Sequence, residues 1–313
     1  MIVKIFKEVI AMKKFLAALL AAGSLFLMPA VNAEIKTCEG TDEYIMSEFE
    51  TIDIAKQRAK QKAERAAQEQ AGVFVESNTE VVNMMVTKDE VRTMTCGILK
   101  VVDVQYQLTP LDDGKSLIVR ATVKADVDTD DISNWLNRGE GERSDLVEKN
   151  IELQKAIAEQ DKQIAELKSK LAAADSRTDK EKISAQFNSE DKNFLSNQKL
   201  EEAMKLYYAK DFNGTFSLCT QAIELNPSNA IAYSIRGVIF YWQQDFNSAI
   251  SDFNKAIQLN DSDYKNFYNR GLAYVKLKNY RAAAADFDSA LKLNPDDADS
   301  RYNRDLCYRA MKR

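Results

Sequence analysis

Along the C-terminal third of the chain, small, apolar and aromatic residues recur every 34 positions: Gly237 and Gly271, Phe246 and Tyr280, Ala249 and Ala283, Phe253 and Phe287, Ala256 and Ala290, Leu259 and Leu293. Pairs held in one register mark an internal repeat. An earlier copy aligns through Ala203, Phe212, Thr215, Cys219, Ala222 and Leu225, and closes with Asn226 and Pro227 as the last copy closes with Asn294 and Pro295. The pattern gives three units, 196–229, 230–263 and 264–297, within a region covering 191–313. Small residues let two antiparallel helices approach while aromatic positions fill the groove between them, so each unit is expected to be a helical hairpin. In the middle unit the helices are Tyr233–Trp242 and Phe246–Leu259, with a turn over Gln243–Asp245. Ser300–Lys312, rich in Arg and Lys, reads as a solvating cap helix.

Upstream, 144–174 carries a heptad pattern, with Asn150, Ile157, Ile164 and Leu171 at one seam position and Leu146, Leu153, Gln160, Leu167 and Ala174 at the other. This predicts a short coiled coil. β-branched residues at the first position, Leu at the second and an Asn in the seam favour a parallel dimer, with a trimer as the alternative and a lone helix as the competing reading. Residues 175–190, polar and charged, read as a linker. Residues 34–135 predict a small α+β domain. Ala55, Ala59, Ala63, Ala66, Ala67 and Ala71 form a small-residue stripe on a helix expected to stop at Gly72, and Val73–Val86 reads as extended. Thr87 and Glu90 have capping-box spacing for a short helix running to Cys96 and Gly97. Val102, Val104, Tyr106 and Leu108 then alternate, Asp113 and Gly114 supply a turn, and Leu117, Val119, Ala121, Val123 and Ala125 alternate back. The expected fold is an α+β N-terminal domain with a helix packed on an antiparallel sheet, a short coiled coil, then an all-α superhelix.

The N-terminal segment, 1–33, changes where this assembly is expected to work. Lys13 and Lys14 precede an apolar run, Phe15–Met28, and the stretch ends in Val31, Asn32 and Ala33. That is the pattern of a secretory signal peptide cleaved after Ala33, and the run is shorter than the roughly 20 residues that span a bilayer. A periplasmic or otherwise exported cell-envelope location follows as the expectation, with no stable membrane insertion after cleavage. Cleavage removes four lysines and one glutamate, which moves the net charge from −5 to −8. An acidic product has no footprint for phosphate neutralisation, so nucleic acid is not an expected partner. In an oxidising compartment Cys38 and Cys96 are expected to form a disulfide, whereas Cys219 and Cys307 fall at apolar repeat positions.

The 313 residues include no His, which removes His-based triads, zinc helix motifs and most general-base schemes. No Gly-rich phosphate loop is present. Asp126, Asp128, Asp130 and Asp131 start like a calcium loop, but Asp131 and Asn137 stand where such a loop needs Gly and Glu. The expectation is a protein that is no enzyme, with neither cofactor nor metal.

The Gly or Ala at the eighth position of the unit, Ala at the twentieth and twenty-seventh, and Pro at the thirty-second resemble the tetratricopeptide repeat, over about a third of the chain. The resemblance implies a right-handed superhelix whose concave face, lined by the first helix of each repeat, binds a peptide or another protein. Carried onto this sequence, the groove positions are Met204, Tyr208, Ile231, Ser234, Val238, Trp242, Lys265, Tyr268, Asn269 and Leu272. Leu200, Met204, Ile235 and Asn269 replace the residues with which some family members clamp a peptide carboxylate, and only Lys265 is retained, so a carboxylate clamp is not expected. Trp242 and Tyr268 are the expected anchors, since aromatic residues dominate binding hot spots. The Ala-rich helix and terminal hairpin resemble the N-terminal domain of flagellar assembly protein T and related envelope lipoproteins, which implies an assembly or scaffolding role. The function expected is a periplasmic adaptor, homo-oligomeric through its coiled coil; the alternative is a self-assembling structural protein whose groove is an oligomer contact.

Overall fold

The structure is a computed structural model that describes residues 34–81, 86–111 and 116–312. The expected signal peptide and the Asp113–Gly114 turn lie outside the described residues. Strand β1 (Ile35–Met46) pairs antiparallel with β3 (Leu117–Asp128), whose other edge pairs antiparallel with β2 (Lys100–Pro110). β3 is therefore central, and its alternation places Val119, Ala121, Val123, Ala125 and Val127 on one buried face.

Helix α1 (Ile52–Val81) lies on that face through Ala55, Ala59, Ala63, Ala67, Ala71 and Val75, all fully buried. The small residues bring its backbone onto β1. A Cβ at Gly40 would stand 2.1 Å from the Ala63 carbonyl oxygen and 2.3 Å from the Ala67 nitrogen. The helix does not stop at Gly72, and the expected extended segment from Val73 is helical as far as Val81. Val75, four residues after Ala71, continues the buried stripe, and that packing outweighs the cost of about 1 kcal/mol for one mid-helix glycine. Helix α2 (Lys88–Ile98) opens with the expected capping box of Thr87 and Glu90. Helix α3 (Thr129–Leu136) follows β3 and buries Trp135.

Helix α4 (Glu140–Ala172) carries the heptad stripe, and its seam is buried within this same chain. Leu146, Leu153 and Ile157 join a core with α2 and with α5 (Arg177–Tyr208), while Ile164 and Leu167 pack on Ile183 and Phe187. Asn150 Nδ2 donates to Thr93 Oγ1 at 3.2 Å, and Gln160 Nε2 to the Glu190 carbonyl at 3.1 Å. The expected interchain coiled coil is thus corrected: a heptad pattern specifies an apolar stripe, and here the partners are α2 and α5. The expected linker over 175–190 is corrected too. Ser176 caps α5, which runs unbroken to Tyr208 because Ile183 and Phe187 bury against α4.

A polar joint ties the sheet to these helices. Arg58 pairs with Asp191 at 3.0 Å and Glu50 at 3.4 Å, lies over the Phe194 ring at 4.5 Å, and Tyr44 donates its hydroxyl hydrogen to Glu50. One apolar core continues from Cys38, Ala71 and Met94 through Leu153 to Leu200, Cys219 and Ile231. All four cysteines are free, so the expected Cys38–Cys96 disulfide is not formed. Cys38 shares a core with Ala71, Val75, Met94 and Ile98, whereas Cys96, two residues from both Met94 and Ile98, lies off that face of α2 and meets Gln68, and burial pushes its thiol up to about 12.

Candidate functional site

The repeats build a concave surface from local signals that recur once per repeat. Asn229, Asp263 and Asp297 cap α7 (Ala230–Trp242), α9 (Tyr264–Lys276) and α11 (Ala298–Met311). Asp211, Asp245 and Asn279 cap the partner helices α6 (Phe212–Leu225), α8 (Phe246–Leu259) and α10 (Tyr280–Leu293). Each hairpin turns through a left-handed residue, Lys210, Gln244 or Lys278, at φ of 60°, 64° and 59°. Gly237 and Gly271 are where the helices touch: a Cβ at either would stand 2.8 Å from the ring of Phe253 or Phe287. Bidentate pairs Arg236–Asp252 and Arg270–Asp286 repeat in the same register.

The first helices of the hairpins line a cavity of about 400 Å³. Met204, Val238 and Leu272, one repeat apart from one another, come together in its wall with Trp242, Lys265, Tyr268 and Asn269. The other three expected groove residues lie outside it. Tyr208 is buried against Gly97 of α2, Ile231 belongs to the core beneath the groove, and Ser234 is buried with its hydroxyl unpartnered. Tyr207, Ile235, Tyr241, Phe253 and Tyr264 were missed, although Tyr207 and Tyr241 stand one repeat apart and carry the periodic signal that would have found them. Tyr207 stacks on Trp242 at 5.6 Å and 14°, and Phe212 meets the same indole edge-on at 4.6 Å. Trp242 is nevertheless 47% exposed.

The opposite wall is the start of α4, contributing Ser144, Asp145, Leu146 and Lys149, with Asp297 and Asp299 from the start of α11 at the rim. Lys149 pairs with Asp263 at 2.8 Å and Glu152 at 3.3 Å, and Asn260 donates to Glu152 at 3.4 Å. Lys265 reaches back to Asp145 and to Glu148, the latter at 2.7 Å. Burial opposes the charge on both lysines, but for Lys149 the carboxylates of Asp263 and Glu152, and for Lys265 those of Asp145 and Glu148, outweigh it and hold each ammonium above its usual value. Lys265, the position expected to match a carboxylate clamp, is thus paired with carboxylates of the chain's own α4.

The acidic run at the end of β3 is put to other uses. Asp126 accepts from Thr37 at 2.6 Å, Asp128 caps α3, and Asp131 pairs with Lys100 at 2.7 Å. Among the described residues no group of three or more Cys, Asp or Glu is arranged to hold a metal ion.

A family model described as tetratricopeptide repeat matches residues 264–297. Among solved structures, the chain is similar to the Arabidopsis OM64 TPR domain, at 30% identity and a TM-score of 0.37, over 38% of this chain and 98% of that one. It is also similar to the second TPR domain of human RPAP3 in complex with an HSP70 peptide, at 20% identity and a TM-score of 0.35, over 38% and 98% of the two chains. A third is the TPR2B domain of yeast Sti1 in complex with an Hsp70 peptide, at 22% identity and a TM-score of 0.35, again over 38% and 98%. No curated protein matches the chain.

Proposed function

Since this chain belongs to the tetratricopeptide-repeat family, we propose that it is an exported cell-envelope adaptor that captures a partner protein in the concave groove of its repeats. The observation that carries this reading is the groove itself: Val238 and Leu272 from successive first helices, with Trp242 and Tyr268 beside them, line an open cavity whose floor is the buried Met204 and whose wall at Leu272 and Tyr268 packs on the core of the last repeat. Large aromatic side chains left half-exposed in a concavity are the usual anchors of a protein contact. The location rests on the basic, apolar and small-residue order of segment 1–33. The sheet domain, joined to the groove by α4, supplies a second surface for an envelope component.

A second reading, self-assembly of repeats, has one observation in its favour. Helix α11, expected as a solvating cap, also presents apolar and aromatic side chains: Tyr302 is 65% exposed, and Leu306, Tyr308 and Met311 are exposed with it. Crosslinking in intact cells, with a Trp242→Ala/Tyr268→Ala variant beside the wild type, separates the two. Loss of a crosslinked partner with unchanged particle mass supports the adaptor, and a fall in mass supports self-assembly. Fractionation of the same cells tests the location, and a cytosolic product with segment 1–33 intact would contradict it.

A further inference from the structure

The open part of the groove has a specific charge and ring arrangement. Tyr241, Trp242, Tyr264 and Tyr268 wall it, and among the described residues no Lys or Arg stands over any of these four rings. Elsewhere in the repeats, by contrast, Arg236 lies over Tyr233 and Phe240, and Arg270 over Phe267. The groove rings thus carry no cation from the chain itself, and Trp242, although Tyr207 and Phe212 pack against it, stays 47% exposed.

The charges around them point the same way. Lys149 and Lys265 are each held by two carboxylates, from Asp263 and Glu152 and from Asp145 and Glu148. Asp297 and Asp299 complete the rim, so the lining carries three carboxylates, Asp145 among them, against two ammonium groups that are already paired. The Asp297 side chain accepts from the Ser300 nitrogen as a helix cap, and the Asp299 carboxylate makes no hydrogen bond or ion pair among the described residues. The N-terminal dipole of α11 offsets only about half a charge, so the rim stays negative. Tyr268 registers that field: its phenol is pushed up to about 12, first by burial and then by Asp299, Asp297 and Asp145. A peptide carboxylate meets repulsion here, and the lysine that would receive it is already engaged.

We infer that this cavity receives a cationic side chain, Lys or Arg, of a partner peptide, with its charge toward Asp297 and Asp299 and its aliphatic stem against the rings of Trp242 and Tyr268. The inference rests on the groove being a partner site. Ring faces attract a cation, uncompensated carboxylates at the rim add to that attraction, and the apolar wall takes the methylene stem. A cavity of about 400 Å³ holds such a side chain with its flanking residues.

The test is selection of phage-displayed random dodecapeptides on the full chain, followed by calorimetry of the resynthesised winners against wild type, Asp299→Asn and Trp242→Ala. Winners are expected to carry Lys or Arg. Replacing that residue by Gln, or Asp299 by Asn, is expected to weaken binding about tenfold. Asp299 is exposed, so its substitution leaves the fold intact. Neutral or acidic winners that lose binding to Trp242→Ala overturn the cationic specificity and keep the groove. Cationic winners indifferent to Asp299→Asn also overturn it. The absence of any winner sensitive to Trp242→Ala overturns both readings.

Discussion

Leu153 decides whether the heptad stripe of α4 closes within one chain or between two. Its side chain is 1% exposed, in the core shared with Met94 of α2 and Leu200 of α5. Truncation to Ala removes a fully buried isobutyl group and leaves a void among neighbours that relax only in part. Transfer and cavity terms together cost about 3–4 kcal/mol. Urea unfolding followed by far-UV circular dichroism, at two protein concentrations about a hundredfold apart, reads the effect. If the seam closes within the chain, Leu153→Ala lowers the urea midpoint by about 1 M or more, equally at both concentrations, and light-scattering mass is unchanged. A seam between two chains behaves differently. The wild type would then gain about 2.7 kcal/mol over that concentration range by mass action, and Leu153→Ala would halve the mass. Either result would refute the intramolecular seam.

Two further outcomes follow from the packing and the charges. Gly40→Ala forces a methyl group into the backbone of α1 at Ala63 and Ala67, so the whole Ala stripe must lift from the sheet; a loss of about 3 kcal/mol or more is expected, read from fluorescence of the buried Trp135 in a Trp242→Phe background. Lys149 is held above its usual value in the folded chain, so its contribution is fully present below the unfolded lysine value and is lost as pH rises through the folded one. The urea midpoint should begin to fall as pH passes the ordinary lysine value of about 10.4 and keep falling above it, less steeply in Lys149→Met, with equal slopes counting against the pairing with Asp263.

What the sequence made legible was whatever a local pattern specifies. The repeat register gave the hairpins, because Gly237 against Phe253 and Gly271 against Phe287 are repeated contacts that leave repeated letters. The capping box at Thr87 and Glu90 and the alternation of β2 and β3 were equally local. The errors were of partner at the α4 seam, and of element at 73–81 and 177–190, which are helical. The α4 stripe was correctly apolar, but its partners at Thr93 and Phe187 are set by tertiary packing. Only the repeat-borne part of the groove was legible, for the same reason. Met204, Val238 and Leu272 share a repeat position, while Asp145 and Lys149 reach the site from more than a hundred positions away and carry no periodic mark. The free thiols of Cys38 and Cys96 belong with these cases, since composition and compartment suggest a pair that the facing of Cys96, off the side of α2 that carries Met94 and Ile98, keeps apart.

The length of α4 has a mechanical consequence. At 1.5 Å per residue its 33 residues form a rod of about 50 Å. One end is the groove wall at Asp145 and Lys149; near the other, Lys168 lies 3.8 Å over the Tyr44 ring and pairs with Glu50 at 3.8 Å. From Glu142 to Ala172 the sequence holds neither Gly nor Pro, the usual hinges of a helix. The groove wall and the sheet are therefore two ends of one stiff lever, and a displacement at Asp145 is also a torque on Tyr44 and Glu50.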